Sequence, residues 1–224
     1  MAQTLLLASI LVESGAAEKA LAVTSSHFCS AERQFRLPLE YGGQRAPTAQ
    51  WTATAAGAVV LDGAGSSGPR VTCVTVGKVN DKGIKDANNM GAAMAPAAYD
   101  TLKAHFADTG RGPDYYDLIV TGDLGHLGHQ IVADFFAGDG VRLDNYNDCG
   151  LILFRRKEQD VHCGASGCGC SAAVLTAYLL PGLERGLWRR ILFCPTGALL
   201  SPTSTMQGES IPGICHAVVL EGGN

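Results

Sequence analysis

Charge is scarce in this chain. Asp, Glu, Lys and Arg make up only 17% of its 224 residues, and 17 basic residues face 21 acidic ones. The net charge of −4 lacks the basic footprint that a phosphate backbone demands, so no nucleic-acid partner is expected. Long hydrophobic runs are missing as well. The apolar stretch from Leu5 to Val12 is far too short to cross a bilayer, and no other segment reaches spanning length without charges or repeated glycines. That stretch also has no positive residue before it, the first lysine being Lys19, which argues against a secretory signal. What is plentiful is apolar residues, 46% of the chain, and glycine, 28 residues. The first promises a sizeable core, in one large domain or two modest ones; the second promises turns and close backbone approaches. Eight cysteines without a secretory signal read as free thiols of a soluble protein in a reducing compartment.

Periodicity predicts a helix over 2–13, apolar nearly all round and therefore buried on every side, with Gly15 as its stop. KALAVTSS (19–26) reads as a short buried strand, and SAERQFR (30–36) as a helical turn capped by Ser30 and ended by Pro38. Residues 40–51 read as loop, AGAVVLDGAG (56–65) as a strand entering a turn, and VTCVTVGKV (71–79) as an alternating strand. An irregular connection is expected over 80–96, then helix 98–110, strand 116–124 and helix 129–140. The apolar stretches CGLILF (149–154), RRILFCPTG (189–197) and HAVVLE (216–221) follow. This alternation of helices and buried strands is that of an α/β protein.

The chain also resembles itself. VESGAAEKALAVTS (12–25) aligns without gaps on LERGLWRRILFCPT (183–196), residue 12 on residue 183, an offset of 171. GAVVLDGAG (57–65) aligns on HAVVLEGGN (216–224), residue 57 on residue 216, an offset of 159. Helix 2–13 then falls on 173–184, within or next to the charge-free segment 164–180. The shared order of features points to a duplicated α/β unit. In the later copy the helix is preceded by a cysteine-rich turn; in the earlier copy nothing precedes it, so the first copy is expected to lack its front.

Several groups could carry chemistry. Cys163, Cys168 and Cys170 in CGASGCGC match no paired zinc spacing and no C-x-x-C pair. They leave two stronger readings: close packing of small residues, or a strand–turn–helix corner, permitted by Gly167 and Gly169, that presents a thiol at a helix start. GAGSSG (63–68) satisfies G-x-G-x-x-G, but Pro69 and a strand follow where a phosphate-holding helix should open, so it reads as a hairpin-like turn. His126 and His129 are three apart without further ligands, and read as capping or solvent-facing residues. His27 and His216 adjoin predicted strands. Thr24, Ser25 and His27, at one strand's C-terminal end, and Asp123, at another's, occupy the places where α/β proteins bind ligands; Asp123 can equally serve as a helix cap.

Six stretches together resemble one family: TSSHFCSAERQFRLPLEYGGQ (24–44), VGKVNDKGIKDANNMGAAMAPAA (76–98), YDLIVTGDLG (116–125), NDCG (147–150), SGCGCSA (166–172) and TGALLSPTSTMQGESIPGICHAV (196–218). The chain is similar to the stage V sporulation protein AD family of spore-forming bacteria, which has a thiolase-like fold. The resemblance implies two similar mixed-sheet halves with one buried helix from each in the middle, divided here as 1–79, the remnant of the first half, and 80–224, the second. It implies binding of dipicolinic acid and a part in its movement, with calcium, into the developing spore and out at germination. The implied location is peripheral, on the spore inner membrane beside membrane-embedded sporulation proteins; homodimers are usual in the fold. No cofactor, metal or catalytic residue is implied. Where ketoacyl synthases carry a histidine after the corresponding strand, this chain has Gly122 and Asp123. The counterpart of the thiolase nucleophile would lie ahead of Met1, Cys29 falls after the next strand, and Cys168 is its counterpart in the other half. The ligand candidates are therefore Thr24, Ser25, His27 and Asp123. The alternatives are a cysteine-dependent acyltransferase and a docking subunit for membrane partners.

Overall fold

The computed structural model describes residues 1–28, 46–64 and 67–223. In chain order the elements are α1 (Ala2–Glu13), β1 (Lys19–Ser26), β2 (Trp51–Thr52), β3 (Ala55–Asp62), β4 (Arg70–Thr75) and α2 (Met90–Thr109). Next come β5 (Leu118–Thr121), α3 (Gly125–Gly138), β6 (Tyr146–Asp148), α4 (Cys149–Leu153), β7 (Ala165–Ser166) and α5 (Cys168–Val174). A π turn (Leu175–Leu179) joins α5 to α6 (Leu180–Glu184), and β8 (Arg190–Cys194), β9 (Thr196–Ala198), α7 (Pro202–Met206), β10 (Gly213–Cys215) and β11 (Ala217–Glu221) complete the chain. The helical turn read at 30–36, its cap Ser30, Cys29 and the loop residues 40–45 lie outside the described residues.

Two sheets organise these elements. The larger has the order β4-β11-β8-β5-β6, with β5 parallel to β8 and β6, and β11 antiparallel to β8 and β4. The smaller consists of β1 and β3, antiparallel. Period-two alternation sorts the side chains of the large sheet into two cores. Ile119, Leu192 and Val219 point to one face and meet α2 and α3; Val120, Ile191, Phe193 and Val218 point to the other and meet α1, the 168–184 helical segment and the small sheet. The layers therefore run α2/α3, large sheet, central helices, β1–β3. Each of these fully buried apolar side chains contributes about 1.5–3 kcal/mol, so both faces of the large sheet stabilise the molecule.

The two self-alignments converge on one geometry. In the small sheet Ala22 lies opposite Val59, Leu21 opposite Val60, Ala20 opposite Leu61 and Lys19 opposite Asp62. In the large sheet Phe193 lies opposite Val218, Leu192 opposite Val219, Ile191 opposite Leu220 and Arg190 opposite Glu221. Offsets of 171 and 159 carry each pair of the first list onto the corresponding pair of the second. Two independent alignments reproduce one register, which is the structural form of the duplication.

The structure also departs from the expectations. α1 is not covered all round: Ala2, Leu5, Leu6 and Ala8 are buried, but Leu7, Ile10 and Leu11 are about half exposed, because no described element packs on that face. β1 alternates rather than being wholly buried, since only its inner face meets the core. α2 starts at Met90, well before 98: its first turns are mostly small residues of good helix propensity, and Asn89 accepts the Ala92 amide as a cap. Pro96 lies inside this helix without ending it. The turn at 63–68 does not close a hairpin, for β3 and β4 belong to different sheets. β4, counted above with residues 1–79, has its sheet partner in β11. The second central helix is not uniform either. The π turn precedes Pro181, which has no amide hydrogen to offer the regular ladder.

Candidate functional site

The cysteine-rich turn sits where the two sheets meet the central helices. β7 pairs in parallel with β2, Trp51 beside Ala165 and Thr52 beside Ser166, which fixes the approach to the turn. Gly167 then takes φ +94°, a left-handed conformation that side chains resist, and α5 begins at Cys168. Gly169 rests directly on the Ala55 carbonyl and on Ser26, whose Oγ accepts its amide at 2.8 Å and donates to the Ala53 carbonyl at 2.7 Å. Close packing therefore explains the second glycine, and left-handed geometry the first.

The three thiols of the turn point apart. Cys163 donates to the Pro47 carbonyl at 3.3 Å and Cys170 to the Gly122 carbonyl at 3.6 Å, whereas Cys168 is exposed. Among the described residues no group of three or more His, Cys, Asp or Glu is placed to hold a metal ion. Burial pushes the neighbouring Cys149 thiol and that of Cys194 well up, so both are kept protonated and unreactive.

Thr24 and Asp123 reach this turn from opposite sides. Thr24, on the inner face of β1, donates its hydroxyl to the Cys168 carbonyl at 3.1 Å and lies 3.6 Å from the Met1 sulfur. Asp123, just past β5, accepts the Gly167 amide on Oδ2 and the Thr196 hydroxyl on Oδ1, each at 3.1 Å. Its own carbonyl accepts from Gln50 Nε2 at 2.6 Å, and that amide also donates to the Ala165 carbonyl at 2.8 Å. One strand end from each sheet thus grips consecutive residues of a single turn. Ser25 is not part of this grouping; it lies on the outer, exposed face of β1 with Leu21 and Val23. His27 is exposed beyond the end of β1, next to Phe28, whose ring stacks on Trp51 at 4.4 Å.

Asp123 does not cap α3. That work belongs to Asp148, which went unremarked in the sequence apart from its place in NDCG. Its fully buried carboxylate accepts from Thr121 at 2.7 Å, from the amides of Leu124 and Gly125 at 3.0 Å, and from Gly150 at 2.9 Å. It caps α3 and α4 at once. Burial pushes this carboxyl up, and the Thr121 hydroxyl with the Gly125 and Leu124 amides opposes that shift. An Asp directly before a helix start was the available signal. Ser26, the anchor of α5, was hidden by the same strand-end cluster that drew attention to Thr24 and Ser25. His129 stacks on Tyr146 at 4.3 Å, while His216 accepts the Gly77 amide on Nδ1 at 3.1 Å; both have structural partners.

Layered in this way, with α1 and the 168–184 helical segment in one core between two sheets, the chain has the thiolase-like fold. It is similar to AbyA1, a tetronic acid condensing enzyme (14% identity, TM-score 0.59, 99% of this chain and 65% of that one). It is likewise similar to 3-oxoacyl-(acyl carrier protein) synthase III, FabH, of Pseudomonas aeruginosa PAO1 (13% identity, TM-score 0.57, 99% of this chain and 64% of that one). At such identities the likeness concerns the fold alone. Within this class the chain belongs to the stage V sporulation protein AD family, SpoVAD, whose family model matches residues 1–221. The stage V sporulation protein AD of Bacillus subtilis (strain 168) is 49% identical over 223 residues. That match takes in 98% of this chain and 64% of the relative's length.

Proposed function

We propose that this chain carries part of the dipicolinic acid site of a spore dipicolinate–calcium uptake and release system, and that it performs no chemistry there. Family membership supports the sporulation role. The observation that carries the site is the double grip on the 167–168 turn, Thr24 from the small sheet and Asp123 from the large one. Both residues lie at the ends of strands, one from each sheet, where open α/β sheets hold ligands.

Dipicolinate is a planar dianion. The hydroxyls of Thr24 and Thr196, which donate to the Cys168 carbonyl and to Asp123, would turn from those acceptors to donate to a ligand carboxylate, and Ser25 and His27 lie on the same strand end. Asp123, as an anion, repels both ligand carboxylates unless a cation stands between them. Calcium shared by Asp123 and the ligand removes that repulsion, and the cation's preference for oxygen ligands suits it. A peripheral place on the spore inner membrane, beside membrane-embedded partners, agrees with the absence of any membrane-spanning helix among the described residues. A homodimer is the proposed assembly.

Titration calorimetry tests this reading, with full-length B. subtilis SpoVAD beside this chain and each measured with and without calcium. Calcium-dependent heat with dipicolinate is expected, and Asp123→Asn removes the calcium dependence while Thr24→Val weakens binding. No heat from the full-length protein would discard the reading altogether. Heat from that protein with no effect of either substitution would place the site elsewhere. Exposed Cys168 offers a further check: covalent labelling there by an acyl-coenzyme A would show an acyltransferase instead.

A further inference from the structure

Both halves place a base opposite an acid at one register position, Lys19 opposite Asp62 and Arg190 opposite Glu221. The first pair closes to 2.9 Å. Among the described residues, no carboxylate lies within ion-pair distance of Arg190. Arg190 lies instead over the ring of Tyr115, its guanidinium carbon 4.0 Å from the ring centroid. Tyr115 ends a single helical turn, Pro113–Tyr115, between α2 and β5. A second guanidinium, that of Arg111, lies over the same ring at 4.7 Å, and among the described residues it too has no carboxylate within ion-pair distance. All three side chains belong to half-buried residues. Asp117 and Glu221 are close enough to favour the Arg190 charge without pairing with it. Asp117 spends its Oδ2 on the amides of Arg189 and Arg190, at 2.6 and 2.9 Å. The Nε of Arg190 is buried and has no acceptor.

Two cations over one ring lie within about 9 Å of each other, inside a Debye length of about 10 Å at 0.1 M salt. They repel each other, and both attract the same anion. Stacking on the ring holds the planar forks in place, so little rotamer freedom is left to lose on binding. A purely structural arginine had Glu221 available, as Lys19 has Asp62. We infer that Arg111 and Arg190, held by Tyr115, form a binding site for a phosphomonoester group. Two positive charges call for a ligand of about −2, which a phosphomonoester approaches at neutral pH and a single carboxylate does not. Its oxygens also suit the donor fork of a guanidinium. The inference is independent of the dipicolinate reading. Arg190 opens β8, whereas Asp123 lies past the far end of the parallel strand β5, where Thr121 is level with Cys194.

The test is titration calorimetry of this chain with inorganic phosphate at fixed ionic strength. Saturable one-to-one binding is expected. Arg111→Gln and Arg190→Gln should each weaken it at least tenfold, and so should Tyr115→Leu, which removes the ring. Tyr115→Phe keeps the ring and should bind within threefold of the parent chain, a rescue that separates the clamp from general damage to the fold. Arg142→Gln, in an exposed ion pair with Asp144, should change nothing. Circular dichroism verifies that each variant is folded. Co-sedimentation with phosphatidylcholine vesicles carrying phosphatidic acid distinguishes the sources. Vesicle binding that Arg111→Gln abolishes assigns the phosphate to a lipid headgroup; phosphate heat without vesicle binding assigns it to a soluble phosphomonoester. Three results overturn the inference. One is that neither probe binds, and another is binding that both arginine variants retain. The third is dipicolinate held more tightly than phosphate and released by Arg111→Gln, which would make this a dicarboxylate site.

Discussion

Leu21 and Leu192 are the same residue at the same register position of the same strand pair, and so are Val60 and Val219. The antiparallel pairing and its register agree in the two environments, although β1 and β3 run to eight residues each and β8 and β11 to five. Yet Leu21 and Val60 are more than half exposed, while Leu192 and Val219 are wholly buried. The difference comes from what packs on the outer face, α2 and α3 in one case and no described element in the other. Strand identity is thus written locally, while burial is conferred by distant segments. A residue's contribution to stability follows the second property.

The largest expected effect tests that statement directly. Leu192→Asp should cost about 4 kcal/mol or more, by placing an unpaired charge under α2 and α3, while Leu21→Asp should cost less than about 1 kcal/mol. Urea denaturation of the two variants side by side provides the check, and equal costs would remove the contrast. Acid should act next, through the covering layer of the large sheet. His105 of α2 is wholly buried between the Thr75 hydroxyl at 2.7 Å and the Tyr116 hydroxyl at 2.6 Å. Burial, helped by the Arg111 charge and opposed by Asp108, lowers its pKa to about 4. The folded state keeps it neutral while the unfolded chain protonates near 6.5. Stability is therefore fully present above that value and falls as the pH drops towards 4, by about 3 kcal/mol in all. His105→Gln should flatten that segment of the stability–pH curve; an unchanged slope would mean that other groups govern acid unfolding.

The seam between the halves comes third. Ser26→Ala removes a hydroxyl that serves both the Gly169 amide and the Ala53 carbonyl, leaving two buried polar groups without it. A loss of about 2 kcal/mol is expected, read as a lowered urea midpoint, with the 19–26 and 168–174 segments gaining hydrogen exchange together. The smallest effect belongs to a feature that the halves share. Lys19 and Asp62 form an exposed ion pair at 2.9 Å, at the position of Arg190 and Glu221. Asp62→Asn should leave the denaturation midpoint within measurement error, because solvent screens such a pair.

Much of this architecture was legible beforehand, for stated reasons. Self-similarity needs no contacts to be seen, so the duplication and the strands read within 19–26, 56–65, 189–197 and 216–221 could be taken from residue order alone, though their ends could not. The glycines of the turn announced a tight corner, and Thr24 and Asp123 announced themselves as strand-end polar residues. The sidedness of α1 was not legible, because its composition is apolar on every face and only the surroundings decide which face is covered. The early start of α2 was masked by Gly91 and Pro96, residues that usually lie outside helices, and Asn89 overrides them as a cap. Asp148 escaped notice because three of its four donors lie more than twenty residues away, at 121–125, and only Gly150 is near it in the chain. Ser25 was grouped with Thr24 by adjacency, whereas strand alternation places neighbours on opposite faces.

The glycine contacts at the seam reach beyond mechanics. Gly57 of β3 lies against the backbone and Cβ of Ala172, and Gly169 of α5 against the Ala55 backbone and the Ser26 hydroxyl, so strand and helix meet almost main chain to main chain. Such a contact leaves evolution little latitude: a methyl group on either glycine would drive into the opposite backbone, and no compensating trim exists on the other side. The early strands are therefore heirs of the later helix rather than a detachable inheritance, and any lineage that reshaped one would have had to reshape both in step.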